Sequence, residues 1–206
     1  LNTALADAGF PAEELEAKAV KQLELGRKLL PPAGQLAATI ALEHFTAIMA
    51  EVLLSDDTVL KDVPPQMAAM WRWHGIEETE HKAVAFDVLK KVAKASYFTR
   101  IISFAAETFA FPFYVFLIMD YMFKVDGVKN RFRVWMKGLW WLYGWGGLYP
   151  RLMPHYLAYF LPGFHPWKFG NMKIYETWTQ AYADTQGDPV EAGNILYAAA
   201  SGSQPA

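Results

Sequence analysis

The chain of 206 residues contains no cysteine. Thiolate metal sites, cysteine nucleophiles and disulfides are thereby excluded, and no compartment follows from the absence. Charge of one sign is also lacking: the formal charge is −2 and no run of Lys and Arg occurs, so nothing electrostatic points to nucleic acid. No strand-like alternation bounded by turn residues appears before the C-terminal third, and there is no convincing internal repeat. Nucleophile motifs and phosphate-binding loops are absent as well. The chain starts at Leu1 rather than Met, and Leu-Asn-Thr-Ala-Leu-Ala-Asp-Ala has neither the basic start nor the apolar core of a signal peptide. It reads as the end of a helix capped at Gly9, and the expectation is a chain that begins in mid-domain.

What is present is apolar and helical. Apolar residues make up 53% and charged ones 19%, enough for one substantial domain or a compact pair. Pro11 followed by Glu13, Glu14 and Glu16 starts a helix that runs to about Leu30 and stops at Pro31-Pro32. A second helix is expected over about 34–54, a third from Pro64-Pro65 to about Ala95, and a fourth over roughly 98–123. The fold class is all-α. Three regions follow: 1–96, a helical bundle portion; 97–170, an aromatic-rich helical region packing on it; and 171–206, C-terminal helices near 173–185 and 189–200 with a tail expected to be disordered.

The stretch from Tyr97 to Trp167 holds 22 of the 32 aromatic residues. Ile101 to Phe123 has no Lys or Arg and is long enough to span a bilayer, for which about 20 apolar residues suffice. It also contains Glu107, Pro112 and Asp120, and intramembrane acids are costly. A buried core helix lining a hydrophobic pocket is therefore expected over a membrane span. Docking on a membrane surface is the other use. From Gly144 to Pro166, glycines and prolines break the chain into short helices and turns.

The chemistry concentrates in Trp71–Val88, Trp-Arg-Trp-His-Gly-Ile-Glu-Glu-Thr-Glu-His-Lys-Ala-Val-Ala-Phe-Asp-Val. His74, Glu78 and His81 stand at offsets of four and three, within an arc of about 60° on one helix face. Met67, Met70 and Trp71 precede that face and Ala85, Val88 and Leu89 follow it, so two imidazoles and a carboxylate are expected to interrupt a core-facing stripe. Buried groups of this kind need partners, and a divalent metal satisfies them together. Glu43 interrupts the stripe Leu36, Ile40, Ala47, Ala50, Leu54 on the second helix in the same way. It precedes Glu78 by 35 residues, a spacing that suits an antiparallel helix pair. A Glu facing Glu-x-x-His is half of the carboxylate-bridged dimetal site of four-helix bundles. The candidate metal ligands are Glu43, His74, Glu78 and His81.

Other readings stand beside this one. Glu78 and His81 would also serve as an internal ion pair, with His74 a hydrogen-bonded core histidine. Glu77, on the edge of the face, is the alternative ligand to Glu78 and the candidate general base. Glu80 points away to solvent. Asp87 is at most an acceptor for an imidazole N–H, and His44 a packing or supporting residue. Glu107 reads as a rim acid, and His155 and His165, among prolines, as structural.

His-x-x-x-Glu-x-x-His at 74–81 resembles the arylamine N-oxygenase branch of di-iron proteins. Together with Ala-Leu-Glu-His-Phe-Thr-Ala at 41–47, Trp71–Val88 resembles the bacterial family labelled predicted metal-dependent hydrolase, over roughly Leu1 to Trp167. The resemblance implies a ferritin-like bundle in which Glu43 is the third-helix acid and Glu78 and His81 the fourth-helix pair. Family members carry an earlier Gly-Glu helix and a Gln-Glu-x-x-His-x-x-x-His helix. Neither is present, so the segment is expected to hold one half-site, the other lying upstream of Leu1 or lost.

The expected function is a carboxylate/histidine metalloenzyme, foremost a di-iron oxidase or oxygenase sheltering a hydrophobic, lipid-like substrate. Iron as a dinuclear pair is the first cofactor, with manganese and zinc as others such donors take. A metal-dependent hydrolase is the alternative, and a membrane-associated helical protein with a polar His/Glu core is the third. The expected location is the cytoplasm, with or without peripheral membrane contact, and no nucleic acid partner.

Overall fold

The computed structural model describes residues 2–56, 58–128, 132–170 and 172–201, and among them there are helices and no strand. The all-α class holds. The expected tail at 202–206 lies outside the described residues.

Local sequence explains most boundaries. α1 (Asn2–Asp7) ends on Gly9 at φ +84°, where Gly9 N–H donates to Ala6 O at 2.9 Å and Phe10 N–H to Leu5 O at 2.9 Å. That pair of bonds is the glycine-closed helix end expected from sequence. α2 (Ala12–Leu29) has Glu13 and Glu14 in its first turn and Arg27 and Lys28 in its last, and Pro31 follows it. α3 (Pro32–Ser55) and α4 (Pro65–His81) both begin on prolines. α6 (Tyr97–Val125) is capped by Ser96, whose hydroxyl accepts the Thr99 N–H at 3.2 Å. The third helix does not run to Ala95 as expected. It breaks after His81 into α5 (Val84–Asp87) and a π-helical turn, Val88–Val92. The break falls where Lys82 turns its ammonium inward to donate to Phe169 O at 3.1 Å. α7 (Phe132–Tyr143), α8 (Leu148–Ala158), a 3₁₀ turn at Pro166–Lys168, α9 (Met172–Asp184) and α10 (Pro189–Ser201) complete the chain.

The helices form two compact units, each discontinuous in sequence: residues 1–42 with 89–150, and 43–88 with 151–206. In the first, Glu14 on α2 accepts from Lys18 at 2.7 Å and from the Tyr121 hydroxyl of α6 at 2.9 Å. α7 rests on α6 through Trp135, stacked on Phe116 at 4.9 Å and edge-on to Phe123 at 4.9 Å. In the second, α9 and α10 pack on α4 around Leu54, Ile76, Trp178, Ala181, Ala192 and Leu196.

Two burial expectations are overturned. The apolar stretch of α6 is not a core helix: only 6% of its most apolar window is buried, with Arg100 and Phe104 its buried residues. Its aromatics surround the helix, so the Trp135 contact covers one flank and leaves Phe98, Ile102, Phe109 and Phe113 exposed. By length and composition alone, α3 and α6 are both apolar enough to cross a membrane, and α3 is 44% buried in the equivalent window. On α4 the face inward is Ala68, Ala69, Arg72, Gly75 and Ile76, while Met67, Met70 and Trp71 are exposed. Small residues decide this. A Cβ on Gly75 would stand 3.3 Å from Leu54 Cγ, and one on Gly193 would stand 3.6 Å from Ala69. Helices approach closely only where side chains are short, so α4 turns its Ala/Gly face inward and its Met/Trp face outward.

Candidate metal centre

Glu43 lies near the middle of α3, one turn before Ala47 and between buried Ile40 and Ala50. Its Oε2 is buried and has no hydrogen-bond partner. Burial pushes its carboxyl above the ordinary value of 4.5; the negative charge of Glu78 adds to this, and His81 opposes it. The α3 acid and the α4 Glu-x-x-His therefore feel one another within the second unit. An orphaned buried carboxylate oxygen beside another carboxylate is a costly arrangement that a cation relieves.

On α4, His74 Nε2 lies 3.4 Å from Glu78 Oε1, four residues along the helix. The Trp71 ring stands edge-on to His74 at 5.9 Å. Glu78 and Glu77 are half-buried; His74 and His81 are exposed. The His74–Glu78–His81 face of α4 is thus open rather than sunk in the core, a consequence of the helix orientation set by Ala69 and Gly75. In kind, two carboxylates and imidazoles suit a divalent cation of the iron, manganese or zinc type. Among the described residues, no group of three His, Asp or Glu side chains stands close enough to hold an ion. The donors fit by chemistry and by the orphaned Glu43 oxygen, and their ring is not closed.

The remaining acids and histidines sort by contact. His44 is a buried packing residue, its ring 4.7 Å from Tyr159 and 5.2 Å from Phe164, with Nε2 3.2 Å from His155 O. His165 Nδ1 accepts the Trp167 N–H at 3.2 Å, which leaves the proton on Nε2 to donate to Asp87 Oδ1 at 3.2 Å. Asp87 is thus an acceptor for an imidazole, as its position suggested. Glu80 is exposed and accepts from the Tyr175 hydroxyl at 3.0 Å. Glu107 is half-buried in the first unit, where burial alone raises its carboxyl.

Sequence reasoning passed over a second polar cluster. A cavity of about 30 Å³ in the second unit is lined by Ala47, Glu51, Thr79, Lys82, His155 and Tyr175 among others. That is room for about one or two waters. His155 Nε2 lies 3.6 Å from Glu51 Oε1. Lys82 is buried, sits 4.9 Å over the Trp167 ring, and is pushed below its usual value by burial, with Glu51 opposing. Gly170, at φ +101°, passes so close that a Cβ there would meet Glu51 Oε2 at 3.2 Å and Lys82 Nζ at 3.3 Å. The available signal was register: Glu51 stands two turns after Glu43 on α3, and Lys82 directly follows His81.

The fold is all-helical, and Glu43 on α3 lies within electrostatic reach of Glu78 and His81 on α4. The family described as predicted metal-dependent hydrolase matches residues 1–170, and the chain belongs to it. No curated protein and no solved structure matches the chain.

Proposed function

We propose that Glu43, Glu78 and His81 hold a divalent cation with which the protein hydrolyses an ester or amide bond in a hydrophobic, lipid-like substrate. The observation that carries this is the buried, unpartnered Glu43 Oε2, on a carboxyl that burial and the charge of Glu78 both push upward. Family membership supplies the reaction class. When bound, such a cation supplies Lewis acidity and makes a water more acidic. The chain's own residues do the rest. His74 orients Glu78 across their 3.4 Å contact, and Glu77, beside it and half-buried, receives the proton from the attacking water. Ala47, one turn after Glu43, and Thr79, next to Glu78, also line the cavity that holds the Lys82 ammonium.

A second reading is oxidation of the substrate at a dinuclear iron centre. It is favoured by the donor pattern itself, a Glu on α3 and Glu-x-x-His on α4, which is half of a carboxylate-bridged dimetal site. Metal analysis of the purified protein, followed by turnover of a panel of acyl esters and amides, separates the readings. Anaerobic turnover supported by zinc or manganese is expected. A requirement for O₂ and a reductant would transfer the site to the second reading. Protein that binds neither zinc, manganese nor iron, and whose melting temperature none of them changes, removes both.

A further inference from the structure

α7 carries two parallel stripes on its outer face. Phe132, Met136 and Trp140 stand four residues apart, and beside them Arg133, Lys137 and Trp141 repeat the same interval. An open cleft of about 420 Å³ is lined, among the described residues, by these six side chains. None of α7 is fully buried: Phe132 is 74% exposed, Trp140 71% and Trp141 53%. Trp145, just beyond the helix, is 98% exposed. The opposite face is already in use, because Trp135 stacks on Phe116 and meets Phe123. The outward rings are therefore not spare core residues awaiting a neighbour within their unit.

Charge identifies the partner. From Gly127 to Pro150 the sequence has four cations, Lys129, Arg131, Arg133 and Lys137, and no acid. The chain as a whole is slightly acidic, so this concentration is local. A second protein surface would need a complementary acidic rim, and the six residues that line the cleft are cations, aromatic rings and one methionine. Exposed tryptophans with adjacent Arg and Lys are what the boundary of a bilayer accepts: rings sit at headgroup depth and cations meet phosphates. α6 supports the same reading, since Phe98, Ile102, Phe109 and Phe113 fall along one exposed stripe of that helix.

We propose that the Phe132–Met136–Trp140 and Arg133–Lys137–Trp141 face of α7 docks the protein peripherally on an anionic lipid bilayer. The rings enter the interface, and Arg133 and Lys137 meet lipid phosphates. Insertion of rings makes binding persist in part at high salt; the cations make its strength depend on anionic lipid and weaken as salt screens them.

The test uses the full chain with vesicles of phosphatidylcholine alone and of phosphatidylcholine mixed with phosphatidylglycerol. Co-sedimentation and tryptophan emission are read together. Binding to the anionic vesicles at least tenfold tighter than to the neutral ones is expected, with a blue shift on binding. Arg133→Glu with Lys137→Glu should remove that preference, and Trp140→Ser with Trp141→Ser should weaken binding to both vesicles about tenfold. All four positions are exposed, and far-UV circular dichroism with melting temperature confirms that the variants fold. Equal binding to both vesicles, or binding indifferent to the charge reversal, overturns the proposal. So does resistance to alkaline carbonate extraction, which would mean a spanning helix. Absence of vesicle binding, with an oligomer that the Trp140/Trp141 variant dissociates, would assign the face to a second copy of the chain instead.

Discussion

A single side chain, Glu43, carries the conflict between stability and function most clearly. Its carboxyl is displaced upward by burial first and by Glu78 second, so ionised Glu43 costs the folded state free energy. The folded protein holds this proton more tightly than the unfolded chain. The associated stability is complete below the unfolded value near 4.5 and is lost as pH rises through the folded value. Glu43→Gln, neutral at every pH, should therefore melt higher than the parent at neutral pH when both are metal-free. A gain of about 1–3 °C is expected, shrinking toward pH 4. The same variant should lose the rise in melting temperature that zinc or manganese gives the parent. That rise should itself be smaller at pH 5 than at pH 8, because protons compete for the carboxylate. Thermal scans of both proteins with and without metal read all of this. A variant less stable than the parent at neutral pH would mean that Glu43 is already satisfied as a carboxylate and is not waiting for a cation.

At the scale of helices, the orientation of α4 is set by its smallest residues. Gly75 faces Leu54 so closely that a Cβ would be 3.3 Å from Leu54 Cγ and 3.5 Å from Leu53 Cδ2. Gly75→Ala adds one carbon that these flexible leucine ends can accommodate, and it gains about 1 kcal/mol of helix preference, so it should be close to neutral. Gly75→Val adds branches with nowhere to go and should cost about 1–3 kcal/mol, seen as a lower denaturant midpoint with unchanged slope. Equal stability of the two variants would show that α3 and α4 are not in contact there. The same residues explain what could and could not be read in advance. Several helix ends were legible because their causes are local: Gly9, Pro31-Pro32 and Pro65 act within a few residues of themselves, whereas the Ser96 cap and the break after His81 were passed over. The direction in which α4 faces was not, because Met67, Met70 and Trp71 look more like a core stripe than Ala68, Ala69 and Gly75 do. Apolar character marks what a helix would like to bury, whereas close approach of α3 and α10 selects the face that is short enough. That Glu43 lies within electrostatic reach of Glu78 and His81 was legible from register; the cavity around Lys82 was not, since Gly170 and His155 reach it from distant parts of the sequence.

On the scale of the whole chain, the candidate centre and the proposed membrane face belong to different units. Glu43, Glu78 and His81 lie in residues 43–88 with 151–206, and α7 lies in residues 1–42 with 89–150. Each unit has its own internal contacts, and local opening of one need not open the other. A cation bound by the first set of residues stabilises only conformations in which they are assembled, by about 2.7 kcal/mol at a hundredfold excess over its dissociation constant. Hydrogen exchange should therefore slow in the C-terminal half of α3 and in α4, α9 and α10 when zinc or manganese is added, while α6 and α7 exchange as before. The reverse pattern is expected with anionic vesicles: protection at α7 and α6, and none gained at α4. α9 and α10 are informative because they carry no proposed ligand and reach α4 through the packing of Trp178, Ala192 and Leu196 with Ile76, the close approach of Gly193 to Ala69, and the Tyr175–Glu80 hydrogen bond. Metal-induced protection that appears equally in α6 and α7 would show that the chain opens only as a whole. Protection confined to the few residues around Glu43 and Glu78, without α9 and α10, would show that the centre is rigidified locally and that the shared core does not transmit it.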